Sequence, residues 1–223
     1  MFPGPVRYQP VQATQGGFDA PIVADPTNPR NLIVGSDYTK CPYPANSAYN
    51  LSFDGGSNWS DQFCMDSVFY EGNEYYPSGG PILGYDLNGV AYVGGDYGSV
   101  GETNLVFEGF QKSSDGVNWT APAAMLVYPN YAPFYCWMAV DDNVVSPYAN
   151  TVYASCVIDD VGPPAASVPG IVVSHSNDGG ASWHQSNAAP PQGHSLDSYT
   201  TTSVGRDGTV YLSMAGLHTE QRM

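Results

Sequence analysis

The chain has 223 residues, 42% of them hydrophobic and only 12% charged, and its formal net charge is −15, from 21 acidic against 6 basic residues. So few cations cannot neutralise a phosphate backbone or an anionic bilayer surface, which argues against nucleic acid and membrane surfaces as partners. No apolar run approaches the ~20 residues of a membrane helix, and 25 glycines, 19 prolines and 17 tyrosines favour turns and short aromatic strands over helices.

The first unit begins with APIVADPTNPRNLIVGSDY (20–38), two short apolar strands around a Pro/Asn turn. A loop and a third strand lead to SFDGGSNW (52–59), and a fourth strand follows the tryptophan. The second unit has the same order: PILGYDLNGVAYVGGDY (81–97), a third strand over 104–111, then SSDGVNW (113–119). The third has CWMAVDDNVVSPYANTVYASCV (136–157), a third strand over 170–174, then SNDGGASW (176–183). A fourth copy starts at TTTSVGRDGTVYLSM (200–214). The box tryptophans stand 60 and 64 residues apart.

Four antiparallel strands per unit, repeated, describe a propeller blade. The expected fold is all-β, a β-propeller segment with blades at about 18–66, about 78–128 and about 132–188 and a partial blade at about 196–223. Propellers close with about four to eight blades. Three and a half blades leave an open edge. The expected partners therefore include the remaining blades of a longer, six- or seven-bladed chain, or a second chain.

The boxes resemble the Asp-box, or bacterial neuraminidase repeat, S-x-D-x-G-x-x-W. Ser52, Asp54, Gly56 and Trp59 match it, as do Ser176, Asp178, Gly180 and Trp183. Ser113, Asp115, Gly116 and Trp119 form a copy one residue shorter. The resemblance covers nearly the whole chain and implies a sialidase-superfamily propeller; sortilin-like propellers share the motif. The residues suit masonry rather than chemistry: glycines for positive φ, aspartates accepting backbone N–H groups, tryptophans packing between blades.

In such a blade the first-to-second and third-to-fourth turns share one rim, so ligand-binding residues are expected on the other. The loops assigned there carry Asp37 and Tyr38, then Asp66, Tyr70, Glu71, Tyr75 and Tyr76, then Asp96 and Tyr97, and finally Tyr131, Asp197 and Tyr199. Tyrosine rings stack on sugar faces and carboxylates accept from hydroxyls, so the expected ligand is a carbohydrate or a protein. Of three connectivities for four cysteines, the strand assignment favours Cys41–Cys64 and Cys136–Cys156, and disulfides point to a secreted or cell-surface protein.

A sialidase of this family binds the substrate carboxylate with three arginines and uses a Tyr/Glu nucleophile pair and an Asp acid/base. This chain offers Arg7, Arg30, Arg206 and Arg222. Arg30 and Arg206 fall on the box rim, Arg222 lies near the chain end, and Arg7 lacks the Arg-Ile-Pro context. The leading expectation is a non-catalytic extracellular propeller with no catalytic residue in this segment. The alternatives are an exo-sialidase with most catalytic residues elsewhere, and a sortilin-like peptide binder. No cofactor or metal is expected, with calcium at Asp159–Asp160 as the exception to consider. Asn50, Asn58 and Asn118 match glycosylation acceptors but read as turn residues.

Overall fold

The computed structural model describes residues 13, 20–37, 40–100, 106–127, 131–160, 170–188 and 195–217. Four antiparallel sheets follow one another along the chain. The first holds β1 (Ile22–Ala24), β2 (Leu32–Asp37), β3 (Ser47–Ser52) and β4 (Phe63–Cys64) in that order. The second holds β5 (Val68–Tyr70), β6 (Asn73–Tyr85), β7 (Ala91–Gly98), β8 (Val106–Ser113) and β9 (Ala123–Leu126). The third holds β10 (Tyr131–Val140), β11 (Val152–Asp160), β12 (Ile171–Ser176) and β13 (His184–Ala188). The last is the pair β14 (Ser195–Val204) and β15 (Val210–Leu217).

The sheets stand side by side as blades. Strand β6 touches β1 and β2 on one side and β10 on the other, and β10 in turn touches β14. The core lies between blade faces. Ile33, Tyr49 and Leu51 of the first sheet meet Leu83, Val93, Tyr97 and Phe107 of the second. Ile82, Tyr92, Phe110 and Met125 of the second meet Met138, Val152 and Ala154 of the third. Middle strands are covered on both faces, so β3 is buried along its whole length.

One expected loop is not a loop. The stretch assigned between the first two blades contains the hairpin β5–β6, with Val68 opposite Tyr75 and Tyr70 opposite Asn73. Its two turn residues, Glu71 and Gly72, have φ of 48° and 81°, the backbone of a type I′ hairpin.

The three boxes share one hydrogen-bond design. In the first, the Gly56 N–H donates to Ser52 Oγ (2.9 Å), and the Ser52 hydroxyl donates to Asp54 Oδ1 (2.9 Å). The Asn58 N–H donates to Asp54 Oδ1 (2.8 Å) and its side-chain amide to Oδ2 (2.6 Å). Asp115 is held in the same way by Ser113 and by both nitrogens of Asn118. Asp178 is held by the Ser176 hydroxyl and by the N–H and hydroxyl of Ser182. Asn58 and Asn118 thus spend their side-chain amides inside the turn, and the Asn50 amide donates to the Ser60 carbonyl.

Each later box also meets the preceding blade. Trp119 stacks on Phe63 at 5.1 Å, and Trp183 meets Phe110 edge-on at 5.2 Å. Trp59, in the first sheet, is half-buried. The boxes lie on the rim of the first-to-second turns, because the Gly55 N–H donates to the Arg30 carbonyl (2.9 Å).

Two disulfides close the sheets, Cys41–Cys64 and Cys136–Cys156, with Cα separations of 5.7 and 4.1 Å. The first ties the loop after β2 to β4, and the second joins neighbouring strands β10 and β11.

Two box glycines separate backbone strain from steric clash. Gly55 has φ of 76° and open space where a Cβ would go, whereas Gly180 has φ of 87° and its Cβ would lie 2.5 Å from Phe110 Cζ. Gly55→Ala should cost about 1–2 kcal/mol from backbone conformation alone. Gly180→Ala should cost about 1–3 kcal/mol more, because Phe110 must move. Urea melts of the two variants measure the difference; equal costs would mean that the box does not press on the preceding blade.

The clamps also set an acid limit. The side chain and then the backbone N–H of Asn58 hold the Asp54 carboxyl down to about 2. The Asn118 N–H holds Asp115 low, and the Ser182 side chain holds Asp178 low. A depressed carboxyl stabilises the fold fully above its unfolded value and loses that contribution as pH falls through its folded value. The melting temperature should therefore drop between about pH 4 and about pH 2. The triple variant Asp54→Asn, Asp115→Asn, Asp178→Asn should be less stable at neutral pH and lose most of that acid slope.

Candidate functional site

The rim opposite the boxes holds a cavity of about 570 Å³. It is lined by Asp37 at the end of β2, Asn46 in the loop before β3, residues 78–81 of β6, Asp96 of β7, residues 134–137 of β10, and Thr200 and Thr201 of β14. Three successive blades and the partial fourth therefore meet at one place.

Two of the lining strands are irregular where they face it. The β6–β7 register shifts between Pro77 and Gly79 and again between Gly79 and Ile82. The β10–β11 register shifts between Phe134 and Trp137. Bulges of this kind re-aim side chains. Tyr135 sits in the second bulge with φ of 50°, a costly conformation for a bulky residue. The result is two neighbouring aromatic side chains turned outward, Tyr135 at 48% and Trp137 at 40% exposure. The Thr200 hydroxyl lies 3.1 Å from the carbonyls of Tyr135 and Ser155 and so ties β14 to β10 and β11.

Gly79 and Gly80 let two carboxyl groups approach the same piece of backbone. The Gly80 N–H donates to Asp37 Oδ2 (3.3 Å). A Cβ on Gly80 would lie 2.7 Å from Asp96 Oδ2, and one on Gly79 would lie 3.5 Å from Asp37 Oδ2. Behind Asp96 stands Glu108 on β8, its direct partner in the strand register and 0% exposed. Burial first, and then the neighbouring Asp96, push the Glu108 carboxyl well above the usual range. Tyr49 is fully buried beside this group and donates its hydroxyl to the Gly94 carbonyl. Burial raises the Tyr49 phenol, with Tyr97, Glu108 and Asp37 adding to it.

Glu108 also lies with the sulfurs of Cys136 and Cys156 inside a 4.8 Å cluster. Those sulfurs are joined in a disulfide and offer no thiolate, so this group does not suit a metal. The side chains of Asp159 and Asp160, the expected calcium alternative, lie outside the described residues.

The sequence-derived ligand residues divide. Asp37 and Asp96 line the cavity. Tyr75 and Tyr97 are corrected: they are 1% and 0% exposed and belong to the core between the first two blades. Tyr97 stacks on Phe107 at 5.6 Å and donates its hydroxyl to the Asp66 carbonyl. Tyr70 is half-buried against the same core. Asp66 and Glu71 are exposed, Tyr76 donates to Glu74 (2.6 Å), and none of the four joins the cavity. Tyr38 lies outside the described residues, as do the side chains of Tyr131, Asp197 and Tyr199. Sequence reasoning missed Glu108, Tyr135 and Trp137. Trp137 carried a signal, since it alone of the four tryptophans stands outside a box.

No family model matches the sequence, and no curated protein matches it. Solved structures do. A protein of unknown function from Dyadobacter fermentans is similar at 13% identity and a TM-score of 0.57, over 90% of this chain and 57% of that one. The leech intramolecular trans-sialidase, solved with 2,7-anhydro-Neu5Ac, is similar at 9% identity and a TM-score of 0.60, over 91% of this chain and 48% of that one. The chain thus spans about half the length of the structures it matches. At such identities the likeness speaks for architecture. Together with the four antiparallel sheets, it shows that the chain has the sialidase-like β-propeller fold.

Proposed function

We propose that this chain is part of an extracellular Asp-box propeller that binds carbohydrate, without cleaving it, in the cavity opposite the boxes. The observation that carries this reading is the pairing of exposed Tyr135 and Trp137 with Asp37 and Asp96 in one cavity. An aromatic face stacks on the apolar face of a pyranose, and carboxylates accept from its hydroxyls. The two disulfides support an oxidising compartment. Strand β15 has no neighbour beyond β14 among the described residues. Remaining blades, from a longer chain or a second chain, would cover that edge.

Among the described lining residues none is arginine or lysine. Recognition of an acidic sugar relies on bidentate guanidinium contacts, so the cavity suits neutral saccharides better than sialic acid. A second reading, a sialidase-type glycoside hydrolase with catalytic residues in other blades, draws support from the likeness to a trans-sialidase. A sortilin-like peptide-binding role is the third.

A glycan array followed by calorimetry tests the choice. Trp137→Ala should weaken the best neutral glycan by about tenfold, equivalent to about 1–1.5 kcal/mol of stacking. Asp54→Asn, on the box rim, should leave the affinity unchanged. A fluorogenic sialoside should not turn over. Turnover abolished by Asp96→Asn would replace the binding reading with the hydrolase, and peptide binding without any glycan binding would favour the third.

A further inference from the structure

The buried acid behind the cavity has no role in a simple binding surface. We propose that Glu108 and Asp96 form a one-proton carboxyl pair, in which Glu108 holds the proton and donates it to Asp96, positioning the carboxylate that lines the cavity.

The geometry leads there directly. Glu108 and Asp96 stand opposite each other on β8 and β7, and Glu108 is wholly buried. Both Glu108 oxygens lack a hydrogen-bond donor. Two ionised carboxylates can only accept, whereas one proton between them makes a charge-assisted bond and removes a buried charge. Among the described residues, no other facing group supplies that proton. The Tyr49 hydroxyl on β3 is committed to the Gly94 carbonyl, and the Tyr97 hydroxyl on β7 to the Asp66 carbonyl. The Cys136 and Cys156 sulfurs on β10 and β11 are bonded to each other. Asp37, on β2, adds further negative charge nearby. Among the described residues, no cation acts on Glu108. An acid whose folded form keeps its proton loses stability as pH rises from its unfolded value towards its folded one.

That the positioned carboxylate meets a sugar rests on the carbohydrate reading; the shared proton does not. Infrared spectroscopy of the full chain at neutral pH should show a protonated-carboxyl band that is missing in Glu108→Gln and shifted in Asp96→Asn. As pH rises above the ordinary glutamate range the wild-type melting temperature should fall, and Glu108→Gln should lose that slope. With lactose as the probe, Glu108→Gln, whose amide still donates, should bind like wild type, and Glu108→Ala should lose at least tenfold. Absence of the band in wild-type protein, or a band unchanged in Glu108→Gln, overturns the proposal. If Glu108→Gln fails to fold, the wild-type band and its response to Asp96→Asn decide. A band of the expected kind with no lactose binding by any form upholds the pair and counts against the carbohydrate reading alone.

Discussion

The structure depends on a turn that must be tight and must also touch its neighbour. Before the last strand of each of the first three sheets the chain reverses through glycines at positive φ, and a serine and an aspartate hold the reversal closed. The same turn has to fit against the blade before it. A Cβ on Gly116 would lie 3.0 Å from Leu51 and 3.1 Å from Phe53 of the first sheet, and one on Gly180 would strike Phe110 of the second. The tryptophan that follows completes the contact, Trp119 on Phe63 and Trp183 on Phe110. Local backbone need and inter-blade packing are thus satisfied by the same few residues. This explains why the motif recurs at blade spacing rather than once, as a catalytic group would.

Locking one rim leaves the other available. On the box rim, turn aspartates are engaged by nearby backbone: Asp25 by the Thr27 N–H, Asp86 by those of Asn88 and Val90, Asp141 by that of Asn143, and Asp207 by that of Thr209. On the other rim, β6 and β10 are both bulged, and the bulges surround the cavity. Strain such as the positive φ of Tyr135 persists only where the surroundings over-determine it. Here the Thr200 contact at the Tyr135 carbonyl and the Cys136–Cys156 bond, between the two exposed aromatics in the chain, do so.

The blades were legible because their hairpins use ordinary grammar. Asp- and Gly-containing turns between β-branched and aromatic runs mark β6–β7 and β14–β15 without any tertiary information. The β5–β6 hairpin was not legible, because its turn is Glu71-Gly72 rather than Asn-Gly or Asp-Gly, and glutamate is a poor signal for φ of 48°. Tyr75 and Tyr97 were misplaced for a different reason. Tyrosine serves equally as a rim residue and as a core residue with one buried hydrogen bond, and composition does not separate the two. Glu108 was hidden by the architecture itself. Strand β8 is covered on both faces, so its VFEGFQKS run has no polar-out alternation against which an inward acid would stand out.

The charge pattern finally bears on what the cavity can hold. A propeller of this fold that cleaves sialosides needs cations where its substrate carboxylate sits. Here the Asp37 and Asp96 carboxyl groups gather around Gly79 and Gly80. Arg30 and Arg206 belong to turns on the opposite rim, where their carbonyls accept from Gly55 and Asn143. Moving them to the cavity would require a different fold, not a different rotamer. The cavity therefore presents carboxylates, and in a chain of net charge −15 that local field is reinforced rather than offset. Fold likeness speaks for architecture, whereas recognition resides in the groups that line the cavity.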